Sequence, residues 1–206
     1  LYSSIRQEMR DKCRYLKYFY FMHGWRNSYC GIFEAEVDGV IYYLIDNEYY
    51  FRRRAPYGEF DDGERFAYFS RAVLEILPQV DFFPDIIHAN DWHTAAIPVY
   101  LDCQYRWREG YDYIKTVFSI HNIEFQGKYG LDTMGTVFAL PPDWISVVEH
   151  DGCLNLMKGA IECANWVSTV SPTYAQEILD PWFSYGLDSI LRERSWKLSG
   201  ILNGID

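Results

Sequence analysis

The sequence predicts an α/β fold in which a doubly wound parallel sheet is extended by an antiparallel β-hairpin region. Two observations carry this. From Phe83 onward, short runs rich in Ile, Val and Phe alternate with helical patterns, the grammar of strand-helix-strand units. Four of these runs end in polar groups: Asp85-Ile86-Ile87-His88 leads into Asn90, Asp91 and His93, Thr116 to Ile120 into His121-Asn122, Val167 to Val170 into Ser171-Pro172, and Ile201-Leu202 into Asn203-Gly204-Ile205-Asp206. Ligands of open parallel sheets bind beyond the carboxyl ends of the strands, so these four ends are expected to face one functional crest.

In chain order, Leu1 to Arg14 shows a helical spacing of Ile5, Met9 and Cys13. Lys17 to Met22, Tyr29 to Val37 and Val40 to Ile45 are strands rich in Tyr, Phe, Ile and Val, and Asp38-Gly39 is the dipeptide of a tight hairpin turn. Asn47 to Asp62 is a loop, with Tyr57-Gly58 following Pro56 so that an aromatic ring projects from a fixed turn. Asp61 or Asp62 caps a helix from Glu64 to Leu77, which turns Phe66, Phe69, Val73 and Leu77 inward and stops at Pro78.

After the strand at Asp85 to His88, a helix from about Thr94 to Arg106 directs Ile97, Tyr100 and Leu101 inward. His121 to Asp143, with three glycines and Pro141-Pro142, is a long irregular segment of the kind that serves binding or gating. Asn155 to Cys163 is helical, Trp166 to Val170 a strand, and Ser171 caps a helix carrying Pro172 in its first turn. A helix from Leu187 to Ser195 and a strand from Leu198 to Leu202 close the chain. No internal repeat, low-complexity tract or linker interrupts it.

The chain has 206 residues, 49% hydrophobic and 18% aromatic, enough for a full core in one domain. A net charge of -10 argues against nucleic acid or an anionic membrane as partner, since phosphate binding relies on a basic surface. The basic run Arg52-Arg53-Arg54 is either a solvated loop or a local anion contact. Cys13, Cys30, Cys103, Cys153 and Cys163 form an odd set without a Cys-x-x-Cys pair, the usage of a reduced protein of the cytoplasm or a plastid stroma. No apolar run approaches the roughly 20 residues of a membrane-spanning helix. The chain opens on Leu1 and stops on Asp206 just past a strand, so both ends are expected to be cuts.

The crest gathers His88, Asn90, Asp91, His93, His121, Asn122 and Asn203. Imidazole, carboxylate and amide groups supply the mixed donors and acceptors that sugar hydroxyls require, and Tyr57 and Trp92 offer rings for the apolar side of a pyranose. Each has an alternative: a histidine at a strand end as a satisfied polar group, Asp91 and Asn203 as caps or turn formers, Trp92 as core. A metal site drawing on His88, Asp91, His93 and His121 lacks the helical His-Glu-x-x-His pair. The Gly-x-Ser-x-Gly elbow and both glycine-rich phosphate loops are absent, and no second acid stands in a matching strand-end context for a paired-carboxylate glycosidase.

The motifs HANDWHT (His88 to Thr94), IHNIEFQG (Ile120 to Gly127), TVSPTYAQEI (Thr169 to Ile178) and GLDSILRERSWKLSGILNGID (Gly186 to Asp206) make the chain recognisable. With weaker matches over Tyr57 to Glu75 and Asn155 to Ala164, the sequence closely resembles the bacterial glycogen synthases and plant starch synthases, which use ADP-glucose. Before Tyr57 only the strand pattern and Tyr43-Leu44-Ile45-Asp46 match.

The resemblance implies a GT-B glycosyltransferase of two Rossmann-like halves, with this chain as most of the N-terminal, acceptor-side half. His121 and Asn203 would line the glucosyl pocket, and Asp91 and Tyr57 would serve activity on the acceptor side. Asn90, Trp92, His93 and Asn122 are carried as substrate-binding neighbours. Glucose would pass from ADP-glucose to the non-reducing end of an α-1,4-glucan with retention, needing no metal, cofactor or protein nucleophile, and His121 would orient and stabilise charge rather than act as base. The family's opening strand with a Lys-x-Gly-Gly loop would precede Leu1, and its second domain would follow Asp206. Without them the 206 residues are expected to have no synthase activity. A non-catalytic glucan-binding module is the competing reading, and a metal-dependent hydrolase a third.

Overall fold

The structure is a computed structural model and describes residues 5–204. The first residues of the N-terminal helical pattern, and Ile205 and Asp206 of the last turn, lie outside that range. Helix α1 (Gln7–Lys12) leads into three antiparallel strands, β1 (Arg14–His23), β2 (Arg26–Val37) and β3 (Val40–Asp46). The β2–β3 hairpin turns on Asp38 and Gly39, both at positive φ (53° and 78°), which brings Val37 opposite Val40. Within the expected loop, Asn47 caps a short helix α2 (Glu48–Phe51) by accepting from the Tyr50 amide.

Helix α3 (Asp62–Glu75) follows, and its buried face differs from the expected one. Ala67, Tyr68, Ala72 and Leu74 are fully buried, whereas Phe66, Phe69 and Val73 are half-buried; Leu77, beyond the helix, is buried as expected. The reason is that α3 serves two cores. Ala67 and Leu74 enter the main core, while Tyr68 and Ala72 meet Phe21, Cys30, Ile32 and Tyr50 beneath the antiparallel sheet. One amphipathic stripe cannot describe a helix clamped on two sides.

Strand β4 (Ile86–Asn90) opens the parallel sheet, and α4 (Ala96–Tyr100) continues into a wider π turn over Leu101–Tyr105. Strand β5 (Lys115–Ile120) follows. The segment expected to be irregular, His121 to Asp143, contains β6 (Lys128–Tyr129) and α5 (Thr133–Thr136), and α6 (Ile145–Val148), β7 (Glu149–His150) and β8 (Cys153–Asn155) follow it. The strands β6, β8 and β7 form a small antiparallel sheet too short to leave a period in sequence. Helix α7 (Leu156–Cys163), capped by Asn155, β9 (Trp166–Thr169), α8 (Pro172–Glu177), capped by Ser171, α9 (Asp188–Glu193) and β10 (Leu198–Gly200) complete the chain.

The parallel sheet runs β10-β9-β5-β4, with Ile86 opposite Lys115 and Asn90 opposite Ser119. Ile87, Ala89, Phe118, Ile120 and Val167 face the main core. The alternate residues Ile86, His88 and Trp166 are exposed on the other face, and β4 forms one edge. The last strand stops two residues early: a side chain at Gly200 would run into the Ser171 carbonyl, and Ile201 makes one more ladder bond, to the Thr169 carbonyl, before leaving the sheet with Leu202 exposed. The five cysteines are unpaired, and burial pushes the pKa of the Cys30 thiol up to about 11 and that of Cys103 up to about 12, which disfavours the reactive thiolate at these two.

Candidate active site

The crest is assembled at the carboxyl ends of β4 and β5. Leaving β4, Asp91 takes a positive φ of 56° with ψ 179°, a strained combination that few residues other than glycine adopt. Its amide donates to the Ser119 carbonyl at 2.9 Å. Its carboxylate Oδ1 accepts the main-chain N–H groups of His121 at 2.8 Å and Asn122 at 3.3 Å. Asp91 therefore ties the turn after β5 to the turn after β4. Thr94 locks its own side by hydrogen bonds through Oγ1 to both the amide and the carbonyl of Asn90, at 2.6 and 2.7 Å.

Asn90 in turn orients His121. The Asn90 Nδ2 donates to the His88 carbonyl at 3.4 Å, which turns Oδ1 toward His121 Nε2 at 2.9 Å. With Nε2–H as the donor to Asn90, Nδ1 is left as an acceptor at the exposed rim. Asn122 closes the turn by accepting the Glu124 amide at 3.0 Å.

His93 sits beneath, its ring 4.4 Å from Trp92, 4.7 Å from Phe66 and 5.2 Å from Tyr57. Burial pushes its pKa down, opposed by the nearby charges of Asp91 and Asp62, and its Nε2 is buried without a partner. Tyr57 stands 61% exposed on its turn. That turn is held by two residues that sequence reasoning did not single out for the site. Asp62 accepts the Gly58 amide at 2.6 Å and pairs with Arg65 at 2.5 Å, and the fully buried Arg65 also donates to the Pro56 carbonyl at 3.0 Å. Asp62 is thus a clamp rather than a helix cap, and the clue was a buried acid and base three residues apart in DGER.

Trp92 is half-buried, packed on the main core by one edge and lining a cavity of about 290 Å³ by the other. Phe125, Gln126, Gly127, Lys128 and Tyr129 complete that cavity. Gln126 pins the wall, donating to the Ile123 and Tyr185 carbonyls and accepting from Asn155 at 2.7 Å. Gly127 has φ 66°, and a Cβ there would stand 2.8 Å from the Trp92 ring.

The remaining expectations separate. Asn203 is exposed beyond β10, at the same end of the sheet but two strands away from β5, and forms no hydrogen bond with Asp91 or His121. His88 points to the open sheet face, where its Nε2 meets Ser119 Oγ at 2.6 Å, and is not part of the crest. Arg52 and Arg53 of the basic run pair with Glu48 and Asp61 at 2.8 and 2.7 Å, which favours a locally neutralised loop. Among the described residues, no three His, Cys, Asp or Glu side chains converge as metal ligands. No helix among them is long and apolar enough to cross a membrane.

A parallel sheet that offers imidazole, amide and carboxylate at its carboxyl end, beside an aromatic-walled cavity, has the build of one half of a GT-B glycosyltransferase. The amino-acid sequence narrows this further: residues 1–193 match the starch synthase catalytic domain, and the chain belongs to that family. It is 50% identical over 207 aligned residues to a glycogen synthase of Clostridium kluyveri and 47% identical to one of Ligilactobacillus salivarius, in each case along 100% of this chain and 44% of the relative. The chain thus spans less than half the length of these curated relatives. The catalytic domain of starch synthase IV from Arabidopsis thaliana, solved with ADP and acarbose, superposes with a TM-score of 0.85 at 37% identity, covering 94% of this chain and 41% of that one.

Proposed function

We propose that this chain is most of the N-terminal, acceptor-side half of a glucan synthase that transfers glucose from ADP-glucose to the non-reducing end of an α-1,4-glucan with retention, in the bacterial cytoplasm. In that reaction the bond from glucosyl C1 to the diphosphate oxygen breaks and a bond from C1 to the acceptor O4 forms on the same face. The O4 proton leaves with the departing phosphate. The donor arrives activated, so the protein's residues orient, shield and stabilise charge, and no cofactor enters the scheme.

The observation that carries this reading is the fixing of His121 twice, through its amide by Asp91 and through Nε2 by Asn90. So held, His121 Nδ1 accepts a hydroxyl hydrogen of the transferred glucose. Asp91 Oδ2, which makes no hydrogen bond among the described residues, takes a hydroxyl of the acceptor. Tyr57, Trp92 and His93 form the acceptor's apolar wall, Asn122 stands at the rim, and Asn203 enters the pocket from beyond β10. The relatives named above support donor and acceptor as a pair.

The test is glucose incorporation from ADP-glucose into glycogen by the full-length enzyme carrying these residues. His121→Ala lowers kcat at least about tenfold, roughly 1.4 kcal/mol of barrier. Turnover near normal in that variant would reduce the crest to glucan binding. Incorporation by the isolated 206 residues would contradict the reading of this chain as a half-site.

A further inference from the structure

A second cavity, of about 490 Å³, lies away from the crest and plays no part in glucosyl transfer as drawn above. It is walled by Met22 and Gly24 at the β1–β2 turn, Gln104 on the π turn, Gly135 in α5, Pro141, and Arg71 on α3. Arg71 lies nine residues beyond Asp62, roughly 13 Å further along the helix from the Tyr57 clamp.

Arg71 differs from every other arginine that the fold draws out of solvent. Arg26, Arg53, Arg65, Arg106, Arg108 and Arg194 each meet a carboxylate. Arg71 makes no hydrogen bond or ion pair to any described residue, and its Nε is buried without a partner. Its guanidinium lies over the rings of Tyr100 and Tyr105, at 5.7 and 5.8 Å. The nearby acid, Glu75, is engaged by Tyr105 and Arg108, and the cavity wall contains no carboxylate. In a chain of net charge -10, a half-buried cation left unmatched beside a cavity is suited to receive an anion.

His23 adds to the case. It is fully buried between Met22 and Gly24, with neither ring nitrogen in hydrogen-bond geometry. Burial first, then the charges of Arg71 and Arg26, push its pKa down to about 4 against the Val137 main chain, which pulls the other way. Arg26 is neutralised by Glu64 at 2.9 Å, so the free positive charge at the cavity is that of Arg71.

We propose that this cavity is a second ligand site, in which Arg71 binds the oxyanion of inorganic phosphate or of a small phosphate monoester. The planar guanidinium matches two phosphate oxygens at once. The volume falls in the range of organic-ligand pockets and leaves room for a group attached to the phosphate.

The test is calorimetric titration of the chain with inorganic phosphate, glycerol 2-phosphate and acetate in chloride buffer. Saturable phosphate binding is expected, weakened at least tenfold by Arg71→Met and by Gly135→Glu, and changed less than twofold by His121→Ala. Gly135 lines the cavity and a Cβ there would have nothing within 4 Å, so a glutamate at this position adds a tethered rival anion at the cavity wall without disturbing the core. Tighter binding of the monoester assigns the organic ligand, and equal binding assigns free phosphate. Unaltered phosphate affinity in Gly135→Glu overturns the proposal even should Arg71→Met fail to fold. So does acetate binding more tightly than phosphate, or the absence of saturable binding.

Discussion

The Asp91 carboxylate and the His121 main chain are joined at 2.8 Å across the ends of two neighbouring parallel strands. The acid thus acts on the imidazole's position through the backbone, before any substrate is present. A group placed this way fixes where the ring stands without touching the ring itself.

Asp91→Ala removes both amide contacts while leaving the backbone at positive φ, so stability falls by about 2 kcal/mol, read as a lower urea midpoint. Asp91→Asn keeps an oxygen acceptor for both amides and loses less than half as much. Equal losses in the two variants would contradict the pinning role.

Asn90 aims the His121 ring, so Asn90→Ala in the full-length enzyme lowers kcat by about tenfold with KM for glycogen within about twofold. A change confined to KM would place Asn90 in acceptor binding instead.

Gly127→Ala puts a methyl group 2.8 Å from the Trp92 ring on a backbone at φ 66°. Both effects oppose the fold, and the loss is at least about 1 kcal/mol, with a changed tryptophan emission as Trp92 is displaced. Unchanged emission and unchanged stability would show that the wall gives way freely.

His23 sets a pH dependence. Its folded pKa of about 4 lies below the unfolded value of 6.5, so the unfolded chain binds the extra proton first. Its contribution is fully present above pH 6.5 and is lost as pH falls toward 4, by about 3 kcal/mol in total. Stability measured from pH 7 to 4 flattens by that amount in His23→Leu.

Much of this was legible in the amino-acid order, for identifiable reasons. A run such as Thr116 to Ile120 must be buried on a sheet and its His121-Asn122 must emerge where the strand ends, so the meeting of the β4 and β5 turns follows from local pattern, whereas the places of His88 and Asn203 do not. The Asp38-Gly39 hairpin and the Asn155 and Ser171 caps are likewise local chemistry. What escaped depends on partners distant in the chain. The inner face of α3 is set by two cores at once, and the Asp62–Arg65 clamp acquires its meaning only when Pro56 and Gly58 fold back onto it. His88 and Asp91 look alike in sequence, yet His88 lies within β4, where strand alternation sends it to the sheet wall, and Asp91 lies past its end, where the turn at positive φ takes it to the rim.

Strand β4 borders the sheet, with β5 on one side and no sheet neighbour among the described residues on the other. The same strand leads into Asn90 and Asp91, so the alignment of the imidazole hangs from an edge member of the ladder. Whatever shields or pulls at that border will be felt at the rim without touching it, and amide exchange along Ile86 to Asn90 becomes a sensitive gauge of how firmly the chemistry is held.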